Sequence, residues 1–102
     1  MSQMAVITTY ELNEKLEAGE KLELVDVREH DEVAMGIIPG AKHIPMGDIP
    51  ASLDYFDKDK EYIMICRSGS RSAYVCDFLQ AQGYKVRNMT GGMLEWRGKV
   101  EY

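Results

Sequence analysis

A cysteine that closes an apolar run and opens a loop of small and cationic residues is the feature of this chain best suited to chemistry. Tyr62-Ile63-Met64-Ile65 leads into Cys66, and Arg67, Ser68, Gly69, Ser70, Arg71 and Ser72 follow. The pattern reads as strand, tight loop and helix, with the helix running from Ser72 to Gln82. In that order the Ser68-Gly69-Ser70 backbone has room to curl around the Cys66 sulfur, and the first free N–H groups of the helix point back at it. Loop dipoles, the helix N-terminus and the guanidinium groups of Arg67 and Arg71 all favour thiolate over thiol. Cys66 is therefore predicted to be a nucleophile seated in an anion cradle. Inert burial, the usual fate of a free cysteine, requires neither two arginines nor a Gly/Ser loop.

Two chemistries share this design, and loop length separates them. A cysteine phosphatase uses Cys-x5-Arg, a ring wide enough for a tetrahedral phosphate. Here Arg71 follows Cys66 after four intervening residues, and Ser72 stands where the longer loop would place its arginine. The tighter ring suits a single added sulfur atom, so the residues favour persulfide chemistry over phosphoryl transfer.

The segment Cys66-Arg67-Ser68-Gly69-Ser70-Arg71-Ser72 resembles the active-site loop of rhodanese-type sulfurtransferases. Leu24-Val25-Asp26-Val27-Arg28-Glu29 resembles the same family, as do Ile38-Pro39-Gly40-Ala41 with Ile44-Pro45 after it, and Gly91-Gly92-Met93-Leu94-Glu95-Trp96. These stretches keep the family's order and span nearly all 102 residues. One departure is Ile37, where the family usually carries a histidine at what resembles a structural position. The resemblance implies a single rhodanese-like domain over residues 1–102 and a catalytic Cys66 that holds a sulfur atom as a persulfide. It implies a substrate cradle made of Arg67, Ser68, Gly69, Ser70, Arg71 and Ser72, with Asp26 and Arg28 beside the loop in a supporting role. The implied donor is a small sulfur-containing anion such as thiosulfate, and the acceptor is a thiol, or cyanide in an assay. No metal or organic cofactor is implied. A persulfide carrier that passes sulfur to or from a partner protein, with little thiosulfate turnover, is the second function compatible with the same residues.

The elements that must position Cys66 follow from pattern. Ala5-Val6-Ile7 forms a first strand, and Thr8-Thr9-Tyr10-Glu11 carries the Thr-x-x-Glu signature of a helix start, with Leu12 and Leu16 on one face and Gly19 as the stop. Leu22 to Val27 is an apolar strand interrupted by Asp26, whose carboxylate needs partners. A short helix or turn covers Glu29 to Met35, and Ile38-Pro39-Gly40-Ala41 turns into a strand through His43-Ile44. His43 reads as structural rather than as a general base, and His30 as solvent-exposed. Gly47 through Phe56 reads as a short helix capped by Asp48, with Pro50 in its first turn. Asp57 to Lys60 is a solvated link. Val75, Phe78 and Leu79 form the apolar stripe of the helix after Cys66, and Gly83 ends it. Cys76 lies roughly 15 Å along that helix at about 1.5 Å per residue and reads as core packing. Tyr84 to Met89 is the last strand, followed by a turn at Thr90-Gly91-Gly92 and a final short helix that buries Trp96. Strands alternating with helices predict an α/β domain with a mainly parallel sheet of about five strands, helices on both faces, and the site at the carboxyl ends of the strands.

Composition narrows the function classes. A hydrophobic share of 45% with 28% charged residues fits one globular core, and no apolar run reaches membrane-span length. The N-terminus lacks a signal-peptide pattern, so cytoplasmic residence is the default expectation. A net charge of −5 argues against nucleic acid as a partner. Two cysteines make no disulfide framework, which fits a reducing compartment. Cys66, Cys76, His30 and His43 show no zinc-ligand spacing.

Overall fold

The computed structural model describes residues 4–102. Its sheet contains β1 (Ala5–Thr8), β2 (Glu23–Asp26), β3 (Lys42–His43), β4 (Glu61–Ile65) and β5 (Lys85–Thr90). All neighbours pair in parallel, in the order β1-β5-β4-β2-β3. The helices are α1 (Thr9–Glu17), α2 (His30–Val33) and α3 (Ser70–Ala81), with 3-10 turns at Met46–Asp48, Pro50–Tyr55 and Met93–Glu95. The expected α/β architecture is the observed one. Among the described residues no helix is long and apolar enough to cross a membrane.

β4 lies at the centre, which explains why its sequence is continuously apolar after Glu61: a strand covered on both faces has no solvent side to make polar. Its side chains alternate between two cores. Tyr62 and Met64 join Val75, Cys76 and Leu79 of α3, with Ile49 and Phe56 from the 3-10 segment. Ile63 and Ile65 join Ile7 of β1, Leu12 of α1, Ile38 and Trp96 on the opposite face. Leu12 is fully buried, worth about 2 kcal/mol relative to exposure. Its helix begins where the sequence pattern places it, because Thr8 Oγ1 accepts the Glu11 N–H at 3.0 Å and Glu11 Oε1 accepts the Thr8 N–H at 2.9 Å.

The segment after β3 departs from expectation. Asp48 caps nothing: its carbonyl accepts the Ser52 hydroxyl at 2.8 Å, and its side chain makes no capping bond. The physical reason is that Ile49, between the two 3-10 turns, is itself helical at φ −58 and ψ −47. The chain enters the second turn already coiled and leaves no extended cap position for a carboxylate. Pro50 does occupy the first turn.

Candidate active site

Cys66 follows β4 directly, at the carboxyl end of the central strand, and is fully buried. Three residues on, Gly69 adopts φ +100, a conformation that glycine reaches at little cost, and reverses the chain into α3. Gly69 is thereby the N-cap, and α3 starts at Ser70, two residues before the predicted Ser72. The sequence pattern missed this because N-cap preference points to a side-chain hydroxyl, whereas here no side chain caps the helix. The earlier start places Ser72 in the first turn, where N–H groups have no partner within the helix. The Ser72 N–H and hydroxyl each approach Cys66 Sγ at 3.3 Å, and the Gly69 N–H donates to it at 3.1 Å. Burial pushes the thiol up, but the Ser72 hydroxyl and the N–H groups of Ser72, Gly69 and Ser68 outweigh it and hold its pKa below the ordinary value. The sulfur is an acceptor inside a ring of donors, the environment in which a thiolate forms readily.

The two loop arginines differ in circumstance. Arg67 is exposed, makes no ion pair among the described residues, and borders an open groove of about 540 Å³ that Met35, Leu94 and Arg97 also line. Arg71 instead forms a bidentate pair with Glu32 of α2, both bonds at 2.7 Å. Glu32 is a residue that sequence reasoning missed, since its partner lies 39 positions away. The Arg71 hydrogen bonds outweigh burial and hold the Glu32 carboxyl down at about 2.

Asp26 and Arg28 do not touch the sulfur among the described residues; they brace what surrounds it. Asp26 is fully buried and accepts the Arg28 backbone N–H at 3.0 Å together with its guanidinium, Nη2 to Oδ2 at 2.9 Å. Arg28 Nη2 also donates to the Gly36 carbonyl at 2.7 Å and Nη1 to the Glu32 carbonyl at 3.3 Å. The buried pair thus pins α2, α2 presents Glu32, and Glu32 holds Arg71. Val27 N–H donates to the Ile65 carbonyl at 2.9 Å, fixing the residue before Cys66.

His43 is structural, its Nε2 lying 2.6 Å from the Arg28 carbonyl, and the exposed His30 packs edge-on against it. Cys76 is buried in the α3 core, and burial pushes its thiol up to about 12. A second missed residue is Asn88 on β5. Its Nδ2 donates to the Gly69 carbonyl at 3.1 Å and its Oδ1 accepts from Ser72 Oγ, which ties the loop to the last strand. In Lys85-Val86-Arg87-Asn88-Met89-Thr90 the amide stands among other polar residues, so its strand carries no signal like the one that Asp26 gives in β2. Behind the loop, Met93 N–H donates to the Cys66 carbonyl at 2.9 Å and Leu94 N–H to the Arg67 carbonyl at 3.0 Å.

The Arg71–Glu32 pair sets a pH dependence. Glu32→Gln is expected to cost about 1 kcal/mol near neutral pH, a modest figure because the pair is partly solvated. The folded-state pKa of Glu32 is depressed, so this stabilisation is complete above the ordinary value of 4.5 and fades as pH falls toward about 2. Urea unfolding of parent and variant across that range should show two curves that converge at the acid end.

Comparison with known proteins follows the same lines. The rhodanese-like domain family model matches residues 8–99. YtwF of Bacillus subtilis, which carries a provisional sulfurtransferase name, is 56% identical over 95 residues, covering 93% of this chain and 92% of its own. A sulfurtransferase of Allochromatium vinosum is 40% identical over 91 residues, 88% of this chain and 85% of its own. The crystal structure of a rhodanese-like domain protein from Staphylococcus aureus superposes with a TM-score of 0.91 at 44% identity, covering 96% of this chain and 97% of that one.

Proposed function

The chain belongs to the rhodanese-like domain family, and from that premise we propose that it is a sulfurtransferase working through a Cys66 persulfide, with thiosulfate or a similar anion as donor. The Cys66 thiolate attacks the outer sulfur of the donor. The donor S–S bond breaks, sulfite leaves with the electron pair, and a new S–S bond joins Cys66 to the transferred sulfur. The anionic outer sulfur is then held by N–H groups of the Arg67 to Ser72 loop, as an oxyanion hole holds oxygen. An acceptor thiolate, or cyanide, attacks that sulfur, and Cys66 leaves as the thiolate. Arg67 draws the anionic donor to the rim, while Arg71, its charge balanced by the Glu32 carboxylate, holds the start of α3 against α2. The free Cys66 and Cys76 thiols fit a reducing compartment, so cytoplasmic residence is part of this reading.

The observation that carries the proposal is the convergence of the Gly69 N–H and both Ser72 donors on one buried sulfur. Intact mass before and after thiosulfate, under non-reducing conditions, tests it. The expected result is a gain of about one sulfur atom per chain, removed by cyanide or thiol. A gain from a protein persulfide but none from thiosulfate would transfer the assignment to a sulfur carrier. No gain from either donor would overturn sulfur transfer.

A further inference from the structure

Ser72 has one hydroxyl hydrogen and two neighbours placed to take it. Its Oγ lies 3.3 Å from Cys66 Sγ and within hydrogen-bond reach of Asn88 Oδ1, and a hydroxyl donates only once. The orientation of the Asn88 amide is fixed by its other end. Nδ2 faces the Gly69 carbonyl at 3.1 Å, and turning the amide over would set two acceptors against each other there. Oδ1 therefore faces Ser72 and only accepts. Asn88 and Ser72 are both buried, so no bulk solvent stands in for a missing partner.

From this geometry we infer that Asn88 is a positioning residue that works Ser72 as a two-position hydroxyl switch, donating to Asn88 when Sγ is uncharged and to Sγ when it is a thiolate. With a neutral thiol every group is satisfied: S–H donates to Ser72 Oγ, Oγ–H donates to Asn88, and the Asn88 amide donates to Gly69. When the thiol loses its proton, the Ser72 O–H swings to the sulfur, and Asn88 Oδ1 is left against the lone pairs of Ser72 Oγ. Asn88 thus opposes complete commitment of that hydrogen to the sulfur and keeps the thiolate more basic, hence more nucleophilic, than its ring of donors alone would leave it.

The inference rests on the proposed persulfide cycle for its use, because Sγ alternates there between thiolate and an uncharged inner persulfide sulfur. At each exchange the hydroxyl follows the charge. No atom is transferred by the switch, which only turns one O–H about its C–O bond.

The switch is tested without any sulfur donor, by following the pH dependence of Cys66 alkylation with iodoacetamide, read by intact mass. Asn88→Leu removes the competing acceptor while keeping the same branched skeleton, and Cys66 is expected to ionise about one pH unit lower than in the parent. Ser72→Ala is expected to raise it, and Asn88→Leu added to Ser72→Ala is expected to change nothing further. The other charges around the sulfur stay constant across the series: Arg67 on the loop, Arg71 with Glu32, and the Asp26–Arg28 pair beyond Ile65. Cys76 on α3, held near 12, stays a thiol in the range scanned. Asn88→Ala serves the same comparison if the leucine variant does not fold. An unchanged or raised value in both Asn88 variants, or an equal shift with Ser72 absent, would overturn the switch. Failure of both thiosulfate and a protein persulfide to load sulfur would overturn the persulfide reading and leave this titration intact, so the two outcomes are distinguishable.

Discussion

Cys66→Ser is expected to transfer no sulfur above the uncatalysed background and to gain no mass from thiosulfate or from a protein persulfide. Serine keeps an acceptor where the Gly69 and Ser72 donors converge, so the loop retains its hydrogen bonds and the thermal midpoint is expected to move by only about 5 °C. A serine hydroxyl, however, stays protonated near neutral pH even with these donors, and the nucleophile is lost. Alanine is the poorer control, because it leaves the buried N–H groups without an acceptor at about 1–3 kcal/mol each. Retained mass gain in the serine variant would move the nucleophile to Cys76. Burial holds that thiol near 12 without the hydrogen-bond donors that offset burial at Cys66, which is why the complete loss is expected. Mass spectrometry and a cyanide-coupled sulfite or thiocyanate assay check both halves of the prediction.

Gly92→Ala is expected to destabilise the fold by roughly 3–5 kcal/mol and to abolish activity with it. Gly92 sits at φ +61 and ψ −165, a region that residues with a side chain scarcely visit, at a cost of about 1–3 kcal/mol. An added Cβ would also collide with the Arg67 carbonyl carbon and oxygen and with the Ser68 nitrogen, all of them backbone atoms that do not swing aside. Relief requires the turn to lift away. That would break the Met93 N–H bond to the Cys66 carbonyl and the Leu94 N–H bond to the Arg67 carbonyl. The thermal midpoint should fall by more than about 10 °C, and a variant that melts within a few degrees of the parent would refute the tight approach. Gly40→Ala makes a useful comparison. It has a similar positive φ of 86 with open space around it, so only the conformational cost should appear.

How much of this was legible in the chain depends on how far apart the interacting residues lie. The nucleophile was readable because the signal is contiguous: an apolar run, a cysteine, then small and cationic residues. The start of α1 was readable for the same reason, since Thr8 and Glu11 complete each other within one turn. The start of α3 was misplaced by two residues because its cap is a glycine whose left-handed conformation comes from wrapping the loop around the sulfur. Asp48 has the residue type of a cap, but Ile49 after it is already helical and leaves it no cap to fill. Arg71 was recognised as a cation, but its partner Glu32 stands 39 positions away with no local pattern to connect them. Asn88 is 16 residues from Ser72 and, beside Lys85, Arg87 and Thr90, looks like one more polar residue of its strand. Pairing across crossovers is created by the topology, and residue type alone does not display it.

The pairing of β1 with β5 has a consequence for how the molecule is made. Residues 5–8 lie in register with residues 87–90, so among the described strands β1, made before the other four, finds its sheet neighbour only in β5, made after them. Contacts of such long sequence separation close slowly and leave the early segment waiting as an unpaired edge. The same delay reaches the cysteine. The carbonyls of Cys66 and Arg67 are held by Met93 and Leu94, and Asn88 reaches the loop only from the last strand. A chain interrupted before residue 88 would contain the complete nucleophilic segment with no wall behind it. Control over the reactive thiol arrives only with β5, the strand that completes the sheet.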